Sequence, residues 1–248
     1  MIEAGKELEP RKIFTGLCDL QIIALNPNMA EAQGIGVNFK EEPVYTGVNE
    51  ENGAKKIRLD FWCRSLNMDS PVKIVFFLED TDKISAGGKP LFINDFGQSN
   101  YSESKEKVLE YTWYKPDGIK VAKVGEGDVI DFLKAWLSIG KDSKVKIDNF
   151  SKLINGDLSE LLPLIGKYAD RKVQALLIAK ESKGEWYQNV YTRYFSWAGN
   201  KSTAYWKKHL DGSSATLYYQ DSLVFKEFNP LTAEDTSTES KEDNPWAK

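Results

Sequence analysis

The sequence VQALLIAKESKGEWYQNVYTRYF, residues 173–195, carries the strongest strand signal in the chain. Two runs rich in apolar, β-branched and aromatic residues, 173–180 and 186–195, face each other across Lys183-Gly184. Such runs joined by a short glycine-containing link predict a β-hairpin. The second run alternates aromatic with polar residues, so its rings divide between the two faces of the sheet. Twelve aromatic residues fall between positions 173 and 228, interleaved with Lys180, Lys183, Arg193, Lys201, Lys207, Lys208 and His209. Flat π faces beside cations suit the stacking of unpaired bases and the holding of the phosphates between them. A packed β core also collects aromatics, so the same stretch reads either way.

Downstream of the hairpin the pattern gives a short basic helix at 202–210, a loop at 211–214 and strands near 215–219 and 223–228, ended by Pro230. Upstream, residues 12–26 read as a buried strand stopped at Pro27, and 29–33 as a helical turn broken by Gly34-Ile35-Gly36. Residues 55–65 alternate strictly, with Ile57, Leu59, Phe61 and Cys63 on one face and Lys56, Arg58, Asp60, Trp62 and Arg64 on the other. Trp62 falls on the polar side between Arg58 and Arg64, where it either receives a base or is covered by a second layer. Residues 72–78 return as a near-continuous apolar strand. A loop at 81–90 and an irregular excursion at 91–114 follow, then a short strand at 119–124. Residues 129–139 form a helix with Phe132, Leu133, Trp136 and Leu137 on its apolar side and Asp128 placed as its cap. Two short helices are expected at 149–154 and 157–165, split by Asn155-Gly156. Strands with helices inserted between them predict an α+β, mostly β fold, a partly open barrel with helical insertions; an α+β sandwich is the alternative.

With 248 residues the chain can bury a real core. It has no 18-residue apolar run, and its first residues lack the basic and apolar regions of a signal peptide, which sets the expectation of a cytoplasmic protein. Cys18 and Cys63 stand alone in apolar runs and read as buried reduced thiols; with a single histidine they cannot build a zinc finger. The formal charge of −4 is concentrated in residues 231–248, where five acids face two lysines, leaving the rest near neutral. Residues 1–230 thus read as one globular domain and 231–248 as a disordered acidic tail.

Enzymatic signatures are sparse. Gly140-Lys141-Asp142 and Gly87-Gly88-Lys89-Pro90 lack the upstream glycine or the hydroxyl residue of a phosphate-binding loop, and His209 has no nucleophile motif near it. Asp170 followed by Glu181-Ser182-Lys183 imitates the spacing of a Mg²⁺ nuclease, but Glu103-Ser104-Lys105 repeats the permissive half of that pattern. The reading is of a protein that is not an enzyme and needs no cofactor or metal.

The tail ends Glu242-Asp243-Asn244-Pro245-Trp246-Ala247-Lys248. An acidic segment has no folding reason to finish on an aromatic, whereas a peptide that docks a ring into a partner's pocket does. Here the sequence resembles the single-stranded DNA-binding proteins of bacteria and their phages, whose tails end in two acids, one residue, proline and phenylalanine. Trp246 stands in place of the phenylalanine, and Ala247-Lys248 displaces the terminal carboxylate from the ring. The resemblance implies an oligonucleotide-binding (OB-like) barrel in the cytoplasm of a bacterium or phage-infected host, binding single-stranded DNA in replication or recombination. Partner-binding residues would be Glu242, Asp243, Pro245 and Trp246. From the residues themselves, phosphates fall to Arg58, Arg64, Lys180, Arg193, Lys207 and Lys208, and bases to a subset of Trp62, Trp186, Tyr191, Tyr194 and Trp197. A virion structural or assembly protein is the competing class, with the aromatics as interface.

Overall fold

The computed structural model describes residues 16–65, 68, 70–94, 98–110, 118–137, 150–182 and 185–198, without the side chains of residues 16, 179–182, 185, 186 and 193. Alternate residues of β1 (Gly16–Leu25), Cys18, Leu20 and Ile22, enter the core. The strand stops at Asn26, whose φ of 45° only asparagine and glycine adopt readily. Its side chain then takes over the ladder: Asn26 Oδ1 accepts from Asp60 N at 2.6 Å and Nδ2 donates to the Arg58 carbonyl at 2.9 Å. Asn28 and Glu31 form a reciprocal capping box that starts α1 (Met29–Gly34), the helical turn expected from sequence.

A segment then crosses back to β2 (Thr46–Val48), which pairs with the first half of β3 (Lys55–Arg64), while β1 pairs with its second half. One edge of β3 is therefore shared by two strands, with Asn26 at the handover. The alternation of β3 holds as predicted for Ile57, Leu59, Phe61 and Cys63, all buried. Asp60 does not follow its polar face into solvent; it is fully buried. β4 (Val72–Asp82) lies antiparallel on the other edge, from Cys63↔Val72 to Lys56↔Glu79, and runs four residues beyond the expected apolar stretch.

The excursion after β4 is more regular than its sequence suggests. β5 (Leu91–Ile93), β6 (Ser99–Tyr101) and β7 (Lys120–Val121) make a separate three-stranded sheet. With α2 (Lys105–Leu109) between them, Phe92, Val108 and Ile119 close a satellite core. β8 (Lys123–Val124) returns to the outer edge of β4. α3 (Glu126–Leu137) starts two residues before Asp128, so Asp128 sits inside its first turn and does not cap it. Glu126 is the anchor: buried, it accepts from Lys123 N at 3.0 Å and pairs with Lys120 Nζ at 2.5 Å. At the far end Arg171 donates to the Leu137 carbonyl, satisfying a helix-end acceptor.

α4 (Phe150–Ile154) ends at Asn155-Gly156 as expected, and α5 (Leu162–Lys167) begins later than predicted because Pro163 is accommodated only in a first turn. The last described strands form the hairpin. β9 (Lys172–Ser182) pairs with β10 (Glu185–Trp197), and Ser182↔Glu185 leaves the two-residue link at 183–184 read from the sequence. Between Tyr191↔Leu176 and Phe195↔Ala175 three residues of β10 have no opposite number, a bulge that bends the strand.

The main sheet runs β10-β9-β1-β3-β4-β8, with β2 beside β3. It curls so that β10 approaches β4 across α3. Phe132 of α3 lies 4.8 Å from Phe61, 5.2 Å from Phe76 and 5.2 Å from Phe195, ring centroid to centroid, with Trp136 next to it. Apolar burial of this helix stripe inside the curl replaces a second facing sheet, which sets the sandwich alternative aside. The fold is α+β, mostly β, an OB-like partly open barrel with helical insertions. Cys18 and Cys63 are buried free thiols; burial pushes Cys18 up to about 11 and raises Cys63 as well, so neither is a nucleophile at neutral pH. No described helix is long and apolar enough to cross a membrane.

Candidate nucleic-acid interface

The outer face of β3 and β4 is a ladder of paired side chains set by the register: Trp62 beside Lys73, Asp60 beside Val75, Arg58 beside Phe77, Lys56 beside Glu79. Half of it is covered. The segment between α1 and β2 lies over one end, where Phe39 meets Trp62 edge to face at 6.1 Å and Arg64 Nη2 donates to the Ile35 carbonyl at 3.2 Å. Trp62 is half-buried there, with Lys73 Nζ 5.5 Å from its ring centre. A second layer thus covers the ring that the sequence left open to either role.

Below Trp62 sits the buried Asp60. Its carboxylate lies 2.9 Å from Arg58 Nε and 3.2 Å from Lys73 Nζ, so two cations compensate one buried charge. Arg58 is held in place by this pair and by Tyr45, whose ring centre is 5.3 Å from the guanidinium carbon. Burial, reinforced by the nearby Asp60 charge, pushes the Tyr45 phenol up to about 12; it stays protonated and donates to the Pro27 carbonyl at 2.8 Å.

The uncovered half of the ladder is a groove of about 560 Å³ between β2 and the rim of β4, lined by Tyr45, Asn49, Lys56, Arg58, Phe77 and Glu79. Phe77 is 67 % exposed although it belongs to a strand whose neighbours Phe76 and Leu78 are core. Consecutive strand residues point to opposite faces, so one ring of Phe76-Phe77 had to face outward. Gly125 fixes the other side: its φ is 81°, and a Cβ there would stand 2.1 Å from the Phe77 carbonyl oxygen. At the groove's end Glu79 accepts from Asn52 Nδ2 at 2.7 Å, Thr81 Oγ1 at 2.8 Å and Asn49 Nδ2 at 2.9 Å. These bonds, that of Asn52 foremost, hold its carboxyl below the usual glutamate range, so it is a charged acceptor at neutral pH.

The structure brings together Arg58, Trp62 and Arg64 on β3, but only Arg58 lines the groove. The hairpin aromatics are divided by the alternation. Tyr191 is 2 % exposed and packs with Leu176 and Ile178, which leaves its ring no open face for a base. Tyr194 is half-buried, its hydroxyl 3.2 Å from Gln174 Oε1. Trp197, at the end of β10, is 55 % exposed, and Tyr187, which the sequence reading did not single out, is 48 % exposed. Lys180, Trp186 and Arg193 occupy positions in β9 and β10, but their side chains lie outside the described residues, as do Lys207, Lys208, Glu242, Asp243, Pro245 and Trp246. Asp170 is exposed beyond α5, the side chains of Glu181 and Lys183 lie outside the described residues, and no acidic, histidine or cysteine cluster among those described could hold a metal ion.

Tyr45 and Phe77 were missed from the sequence. The Phe-Phe pair was a usable signal; Tyr45 reaches Arg58 only because β2 docks on β3, which no local pattern announces. Comparison with known proteins returned no matching family model, no matching curated protein and no matching solved structure, so the chemistry of the groove has to be read from its own residues.

Proposed function

We propose that the protein binds single-stranded DNA without catalysing a reaction, in phage replication or recombination, through stacking on exposed rings and contacts to phosphates. The observation that supports this is an exposed Phe77 paired with Arg58 on the outer face of an OB-like sheet, with Lys56 two residues from Arg58 on the same face. A stacked base is worth about 1–3 kcal/mol in such sites, and adjacent cations supply the phosphate attraction. Trp197 and Tyr187 offer further exposed rings on the hairpin. The acidic tail competes for Lys56 and Arg58 when DNA is absent and recruits replication partners through Trp246 when DNA occupies them.

Anisotropy titration of a labelled single-stranded oligonucleotide, at low and then high salt, tests the reading. Removing residues 232–248 should tighten binding at low salt and abolish partner recruitment; unchanged affinity eliminates the competition. Val44, an exposed apolar residue lining the same groove as Phe77, favours a second reading, an assembly interface of a virion protein. That reading expects a large stable oligomer that ignores DNA, which light scattering in the same titration distinguishes.

A further inference from the structure

The groove holds one feature that phosphate attraction does not need, a fixed carboxylate at its end. Phe77 and Glu79 lie two residues apart on the same face of β4, about 7 Å along the strand. A planar base laid on Phe77 therefore reaches Glu79 with its edge. The acceptor capacity of that carboxylate is nearly used: Oε1 takes Asn52 and Thr81, and Oε2 takes Asn49. A carboxylate offers about four acceptor directions, so one remains, on Oε2. Asn52 and Thr81 hold the group from the far side, and Lys56 is its cross-strand neighbour, which keeps the carboxylate oriented whether or not the groove is occupied.

We propose that the groove is a base-reading pocket in which a nucleobase stacked on Phe77 donates its exocyclic amine to the open Oε2 position of Glu79. This rests on the single-strand-binding reading above and adds a substrate preference to it. Cytosine, adenine and guanine each carry an amine; thymine presents a carbonyl oxygen where cytosine carries N4, and acceptor then meets acceptor. The site selects amino-bearing bases over thymine. Cytosine against thymine is the contrast to use, because both are pyrimidines and thymine, which also carries N3–H and a C5 methyl, lacks the exocyclic amine.

The test uses the full chain and two labelled oligonucleotides of equal length, oligodeoxycytidine and oligothymidine, titrated at one fixed salt concentration because affinity falls steeply with salt. The wild type should bind oligodeoxycytidine about 10-fold tighter, the low end of what one well-made base contact discriminates. Glu79→Gln places a donor and an acceptor at the same point, so the ratio should fall toward one while both oligonucleotides still bind. Phe77→Ala, at an exposed position that carries no core packing, should weaken both and also erase the ratio, and it carries the test if the glutamate variant fails to fold. Equal wild-type affinities, or a ratio that survives both substitutions, overturn base reading and leave single-strand binding intact. Absence of saturable binding to either oligonucleotide overturns the binding reading itself, and base reading with it.

Discussion

Charged side chains on the outer face of β3 and β4 do two separate jobs, and burial separates them. Asp60, buried, uses Arg58 and Lys73 as counter-charges and so fixes where the guanidinium stands. Glu79, less buried, is fixed by amides and a hydroxyl. Its carboxyl is depressed below its ordinary 4.5 in the folded chain. A depressed acid contributes stability that is fully present above the unfolded-state pKa and is lost as pH falls through the folded one. Glu79→Gln should therefore lower the melting temperature at pH 7, and the gap from wild type should close as the pH is taken below about 4. A gap that persists unchanged at pH 3 would mean that the substitution acts through shape and not through charge.

Gly125 links the curl of the barrel to the groove. Its left-handed backbone turns the chain from β8 into α3 against the backbone of Phe77. Gly125→Ala should cost more than the ~1–2 kcal/mol of left-handed backbone strain alone, because the added methyl meets a carbonyl oxygen and not a movable side chain. Denaturant unfolding measures that loss, and a variant as stable as wild type would contradict this packing. Elements with a full period were legible in the sequence: the alternation of β3, the hairpin of β9 and β10, and the apolar stripe of α3. β5 and β6 were not, because three residues are too few for alternation to show, and the single short strand expected at 119–124 is two, β7 and β8, belonging to different sheets. The start of α3 was missed for a related reason. Its anchor is a glutamate turned inward to Lys120 and Lys123, whereas capping patterns look for a short polar residue before the helix.

The molecule as a whole joins a curled sheet, filled on its concave side by α3, to an outer face where the Phe77 ring stands open beside Arg58. The sequence announced the first through its periodicities. It concealed the second, because Phe77 sat in an apolar run that read as buried and Arg58 gained its neighbours Tyr45 and Phe77 only through strand pairing. Composition concealed it too, since a net charge of −4 gives no sign of where Lys56 and Arg58 come together. Binding through this face should depend on salt, as counterion release requires, and on the Phe77 ring. The most direct measurement is the affinity of single-stranded DNA for wild type and Phe77→Ala across a salt series, with melting temperatures taken on the same samples. Tight, salt-reversible binding by the wild type and roughly 10-fold weaker binding by a variant of unchanged melting temperature is the predicted result. Equal affinity of the two proteins at every salt concentration would contradict a role for this groove.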